Sequence, residues 1–290
     1  MRNMSKVAAM GLATLLVVAA CGNSSTSTSG PKSLINDIKE RGELRIGVAS
    51  AQPWVWKDPT TGVWQGVYID VMAQWAKELN VKLTPVATSW DNIVAGVQAG
   101  QFDVAVALNQ RPARALAVTF TDQLMSQISA FSFYPDKTPV TTWEQLNDPK
   151  YTICVMQGSA QDLSLTNYEP KVQVLRLVDQ DSCRLAVEAG KANAAMDDWA
   201  GLGPDAAAHP GMKIIFPSTP MTAEGIAYAI PHGYSYDDIA AINIQIKDFI
   251  KTGALAVSVK KWGAVNPVAF AIEPIPPYVL ALEAVQYPGE

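Results

Sequence analysis

The sequence predicts an α/β fold of two lobes, each a mostly parallel sheet flanked by helices, joined by two hinge strands. Three observations predict it. Short apolar runs alternate with amphipathic stretches of helical period over most of the chain, the pattern of βαβ units. The alternation breaks twice, at Gln127–Tyr134 closed by Pro135-Asp136 and at Pro217–Ala223, so a second lobe is inserted whole into the first. The length of 290 residues suffices for two cores.

The layout that follows is a leader at 1–20, a polar tether at 21–32, the first lobe at 33–134, the second at 135–222, the return to the first at 223–263, and a tail at 264–290. In the leader, Arg2 and Lys6 precede the apolar run Val7–Val18, which is short for a membrane span. Val18-Ala19-Ala20-Cys21 resembles a bacterial lipobox, with lipid expected on Cys21 and GNSSTSTSG as tether; cleavage as an ordinary secretory peptide is the alternative. An exported, envelope-located chain follows, anchored through that lipid. Cys154 and Cys183 then remain, an even number in an exported chain, and a disulfide between them is expected over two buried thiols.

Ser33–Arg41 reads as a short amphipathic helix stopped by Gly42, and Leu44–Ala49 as the first strand. The aromatic loop Ser50–Lys57 precedes a helix at Val71–Leu79 and a strand at Lys82–Ala87. A helix over Asp91–Ala99 ends at Gly100, and Val104–Leu108 is a buried strand. In the second lobe, Thr142–Leu146 reads as a short helix, and strands are expected at Tyr151–Met156, Val172–Val178, Ala194–Met196 and Lys213–Phe216. The helices between them run from Ser159 to about Tyr168, over Cys183–Ala189 behind an Asp181-Ser182 cap, and over Trp199–Ala208. Glu224–Ile230 returns as a strand, followed by helices at Tyr236–Lys251 and Gly253–Trp262. The tail carries Pro267, Pro274, Pro276, Pro277 and Pro288, which suit an extended surface run.

A net charge of −5 and the lack of a basic stripe give no support for nucleic-acid binding. His209 and His232 stand beside prolines with no partner at metal spacing, so neither a metal nor a cofactor is expected. No P-loop pattern is present, and no nucleophile triad or acid–base pair points to catalysis.

The loop after Val104–Leu108 carries Arg111 and Arg114 around Pro112. Ligands of open α/β sheets lie at such strand ends, and a guanidinium holds a carboxylate through two parallel bonds. This stretch resembles the G-x-T-x-T-x-E-R…F-S signature of solute-binding protein family 3, the extracellular amino-acid-binding proteins of ABC importers. The family's arginine, which clamps the ligand carboxylate, falls on Arg114; its glycine falls on Ala107, its threonines on Asn109 and Arg111, and its glutamate on Ala113. Pro53-Trp54 matches the stacking aromatic, and Gln157-Gly158-Ser159, followed by Ala160, matches a helix-start turn. Gly190 to Asp198 resembles G-x-x-D-A-x-x-x-D, which puts the ammonium-binding aspartate on Asp198 with Asp197 as neighbour.

The resemblance spans roughly Gly42 to Gly263 and implies a two-lobed periplasmic-binding-protein-like fold. It further implies a monomeric receptor that delivers an amino acid to a membrane permease and its ATPase. Trp56 and Trp90 join Trp54 as candidate cleft walls, with core packing the rival reading for each and strongest for Trp56 and Trp64. Plain structural roles compete: a surface position for Arg114, helix capping for Asp198 and Ser159, packing for the tryptophans. Arg111 favours an acidic side chain on the ligand if it points inward, whereas Met156 favours an apolar wall; a polar amino acid is the combined expectation. A dehydratase on the same fold and a free ligand-sensing co-receptor are the alternatives.

Overall fold

The computed structural model describes residues 32–168, 171–217 and 224–265. In chain order its elements begin with α1 (Leu34–Arg41), β1 (Glu43–Val48), the ribbon β2 (Trp56–Lys57) and β3 (Trp64–Gln65), α2 (Val67–Glu78), and β4 (Lys82–Ala87). Next are α3 (Ile93–Gln98), β5 (Val104–Asn109), α4 (Pro112–Ala115), β6 (Thr119–Gln127), and β7 (Ser129–Phe133). After a 3₁₀ turn at Trp143–Leu146 come β8 (Thr152–Met156), α5 (Ala160–Tyr168), β9 (Gln173–Leu177), α6 (Gln180–Glu188), β10 (Ala194–Asp198), α7 (Trp199–Ala208), and β11 (Lys213–Ile215). β12 (Glu224–Ile230), α8 (Tyr236–Lys251) and α9 (Ala254–Val265) follow.

Two five-stranded sheets carry the fold, in the orders β4-β1-β5-β12-β6 and β11-β7-β10-β8-β9. The central strands are β5 and β10, and every residue of both is buried. On one side each central strand pairs in parallel, with β1 and β8 respectively; on the other it pairs antiparallel, with β12 and β7. The expected parallel halves are present, and the crossing strands add antiparallel halves. Pairing direction changes at the central strand, which opens a crevice beyond its carboxyl end.

The change of sheet falls at Ile128, between β6 and β7. This moves the first lobe boundary back from 134/135: Ser129–Phe133 pairs with β10 and β11, in the second sheet. Alternating hydrophobicity identified a strand there but carries no information about which sheet it joins. The second crossing, read at 217–223, lies outside the described residues from 218 onward, as do the leader, Cys21 with its tether, and the tail from 266.

Several boundaries shift for local reasons. α2 starts at Val67, four residues before the expected Val71, because Gly66 at φ +122° turns the chain directly into it. α3 starts at Ile93, which leaves Trp90 and Asp91 in the preceding bend. The cap of α6 is Asp179, whose carboxylate accepts from Ser182 N at 2.7 Å, so Asp181 and Ser182 lie in its first turn. Cys154 in β8 and Cys183 in α6 are joined by a disulfide, packed among Ala186, Val187 and Ala195. Trp56 is core, its ring edge-on to Trp262 at 5.1 Å.

Candidate functional site

A cleft between the two sheets holds about 440 Å³ of atom-free space, part of it open to solvent, a size that suits a small molecule. Its walls come almost entirely from the carboxyl ends of parallel strands. Ala51, Gln52 and Trp54 follow β1, Trp90 follows β4, and Ala107 and Asn109 end β5. From the second lobe come Met156, Ser159, Ala160 and Gln161 after β8, Gln180 after β9, and Asp197 and Asp198 at the end of β10.

The second-lobe wall is anionic. Asp197 and Asp198 are only 6% and 4% exposed. Burial pushes Asp197 up to about 8; one backbone N–H, from Asp198 at 2.7 Å, opposes this. Burial also raises Asp198, but only to about 6, because more donors oppose it. Those are the Trp54 indole N–H, the Ala200 N–H at 3.4 Å, the Gln127 side chain and the Ile128 backbone. Asp197 is thus held further above the ordinary carboxylate range than Asp198 and is the more easily protonated of the two. Asp198 also caps α7, so the capping role and a place on the cleft wall coexist.

The first-lobe wall is built from backbone, amide and aromatic groups. Ala107 has φ +60°, a left-handed conformation that costs a residue with a Cβ about 1–2 kcal/mol. The register of β12 against β5 shifts between Ala227 and Ala229, beside this residue. The Asn109 amide donates to Gln127 at 2.7 Å, and Gln127 reaches Asp198, so a polar chain runs from β5 across the hinge to β10. Trp90 Nε1 is buried and has no hydrogen-bond partner among the described residues. A buried indole N–H ordinarily finds an acceptor, and this residue lines the cleft.

The two arginines diverge. Arg114 is buried at 7% exposure, and its guanidinium donates to the carbonyls of Asn109 at 3.3 Å and Gly158 at 3.0 Å. Burial and the nearby Arg111 lower it to about 10, so it stays charged. It does not itself line the cavity; Asn109 and Ser159, on either side of its contacts, do. Two bonds to carbonyls leave donor capacity on a group with five N–H bonds. Arg111 is also off the cavity wall. It pairs with Glu224 and donates to Ser164 Oγ and to the Ala160 carbonyl at 2.9 Å. The inward orientation that would favour an acidic side chain is thus not adopted.

Contacts across the cleft hold the lobes together. Besides the arginine bonds, Gln157 Nε2 donates to Asp91 at 3.1 Å. Gly158, at φ +73°, is pressed so close that an added Cβ would stand 2.6 Å from Asp91 Cα. Glycine is required there both for its conformation and for its size. Ala51, Gln52, Gln127, Gln161, Gln180, Gly201 and Ile226 line the cleft and were missed from sequence. Gln127 and Gln161 had a signal: one ends the strand before a crossing, the other follows the Ser159 turn.

The profile of the bacterial extracellular solute-binding proteins, family 3, matches residues 44–265. The chain is 23% identical to cyclohexadienyl dehydratase of Pseudomonas aeruginosa over 222 residues, 73% of this chain and 80% of the relative. It is 30% identical to the L-cystine-binding protein TcyA of Bacillus subtilis over 95 residues, 31% of this chain and 35% of that protein. Among solved structures, the L-cysteine solute receptor of Neisseria gonorrhoeae aligns with a TM-score of 0.73 at 28% identity, covering 84% of this chain and 97% of that one. An ancestral amino-acid-binding protein described as a precursor of cyclohexadienyl dehydratase aligns with a TM-score of 0.70 at 28% identity, covering 79% and 99%. With three quarters of its length matched by the profile and both lobes shared with these structures, the chain belongs to the bacterial extracellular solute-binding proteins, family 3.

Proposed function

We propose that this solute-binding protein captures an amino acid in the interlobe cleft and delivers it to the permease and ATPase of an ABC importer. The observation that carries the reading is charge of opposite sign on the two sides of one cleft: Asp198 lines it from the second lobe, and Arg114 of the first lobe stands behind its wall, bonded to the carbonyls of Asn109 and Gly158. A zwitterion leaving water needs both of its charges answered. In this reading Arg114 takes the carboxylate, aided by the start of α5 at Ser159 and Ala160, and Asp198 takes the ammonium. Trp54, Trp90, Ala107 and Asn109 form the surrounding wall. The protein acts as a lipid-anchored monomer, held outside the cell membrane through Cys21, and performs no chemistry on its cargo.

Calorimetric titration of the mature chain with the common amino acids tests this. Saturable binding of one chemical group of them near micromolar dissociation constants, about −8 kcal/mol, is the expected result. A flat response across all of them overturns it.

One observation favours a second reading, a dehydratase. A carboxyl that burial pushes up to about 8, as it does Asp197, has the form of a general acid. The similarity to cyclohexadienyl dehydratase points the same way. Turnover of a cyclic dienyl acid, lost in Asp197→Asn, would establish that reading in place of the receptor.

A further inference from the structure

We infer that Asp197 is a specificity-determining residue and that the preferred solute is a basic amino acid, carrying a second positive charge on its side chain. The inference rests on the receptor reading and adds the class of cargo.

Two carboxylates, each more than nine-tenths buried, line the same cleft. Among the described residues neither lysine nor arginine lines it: Arg114 stands behind the wall, where the receptor reading gives it the ligand carboxylate, and Arg111 is engaged by Glu224. Asp198 receives four protein donors, which hold it ionised, so it claims the ammonium that every amino acid brings. Asp197 receives one backbone N–H and lies between two further acids, Asp198 and Asp205, whose charges oppose its ionisation. An amino acid with a neutral side chain would leave Asp197 buried without a partner charge, so that it stays protonated. A side-chain ammonium or guanidinium would let both carboxylates ionise at once.

The remaining walls suit such a cargo. Trp54, Trp90 and Met156 offer apolar surface for the methylene stem of a long basic side chain. Past Gln180 and Gly201 a second chamber is lined by Asp179, Asp181 and Asp205, of which Asp181 and Asp205 are paired with Arg184 and Asp179 caps α6.

The test is calorimetric titration of the wild type and Asp197→Asn with lysine, arginine, glutamine and glutamate. In the wild type, lysine or arginine should bind at least about 10-fold tighter than glutamine, with glutamate weakest, since each opposite-charge contact in a buried site counts for a factor of ten or more. Asp197→Asn should weaken the basic ligand by about 10- to 100-fold and more than it weakens glutamine, so that the preference for the basic ligand collapses, with the fold of the variant checked by circular dichroism. Equal or tighter binding of glutamine or glutamate by the wild type overturns the inference but leaves the receptor reading standing. Equal losses for all ligands in the variant assign Asp197 a structural role and overturn it as well. Absence of binding by any amino acid overturns the receptor reading and this inference with it.

Discussion

The carboxyl ends of β5 and β10 occupy the same place in their two sheets, yet they are made in opposite ways. Both strands are central, fully buried, and flanked by one parallel and one antiparallel neighbour. At β5 the unfavourable energy is conformational: Ala107 adopts a left-handed backbone in mid-strand, and a register shift in β12 faces it. At β10 it is electrostatic: two adjacent carboxyls are withdrawn from water, Asp198 with four donors and Asp197 with one. One sheet position can thus be made reactive toward a ligand by backbone geometry or by desolvated charge. Only the second kind depends on pH, and only the first is relieved by glycine.

The strongest way to break the comparison is to remove the charge nearest to each end. Arg114→Ala should abolish detectable binding, a loss of at least about 100-fold given charge-assisted contacts of 1.5–3 kcal/mol each. The fold should persist by circular dichroism, and retained micromolar affinity would remove Arg114 from the site. Loss of the disulfide acts on the second lobe alone. Cys154→Ala with Cys183→Ala opens a loop with a sequence separation of 29, which corresponds to about 3 kcal/mol by chemical denaturation. Ligand affinity should change little, because neither cysteine lines the cleft.

Titration sharpens the contrast. In the folded chain Asp198 and Asp197 lose their protons at about 6 and about 8, whereas in the unfolded chain they do so near 4. Between those values the folded state holds more protons, so stability without ligand falls as pH rises from about 4 to about 8. Ligand affinity should move the other way, since an ammonium pairs with the ionised forms. Thermal unfolding with and without ligand would show the two slopes, and Asp197→Asn should flatten the upper part of the first. A parallel rise of both would contradict the buried-acid description.

The smallest expected effect is at β5. Ala107→Gly should stabilise the fold by up to about 1 kcal/mol, the relief of left-handed strain less the added freedom of the unfolded chain. Equilibrium denaturation measures it, and a destabilised variant would mean that the Ala107 methyl packs usefully against the cleft.

Much of the architecture was legible because hydrophobic period reports it directly. β12 and α8 fall where the sequence placed them, at Glu224–Ile230 and Tyr236–Lys251. Sheet membership was not legible for Ser129–Phe133, since alternation says which faces are buried and not which neighbour a strand finds. Of the site, residues that carry charge or follow a glycine turn announced themselves: Asp198, Ser159 and Trp54 all line the cleft. The glutamines did not, because an amide is equally common on a solvated surface and its role depends on which strands meet. Arg111 and Arg114 are three residues apart and looked alike in sequence. Their separate fates were set by Glu224, distant in the chain and brought close by the return of β12 beside β5.

That pairing has a consequence for timing. Arg111 is bonded at once to Glu224 at the start of β12 and to Ala160 and Ser164 of α5 in the second lobe. Parting the lobes must break the contacts to α5 even when nothing occupies the cleft. The rate of opening therefore has a component independent of the cargo's own affinity. Loosening Arg111 would therefore speed opening and, by lowering the closed population, also weaken apparent affinity without touching the cargo, whereas the carboxylates act through the cargo's own contacts.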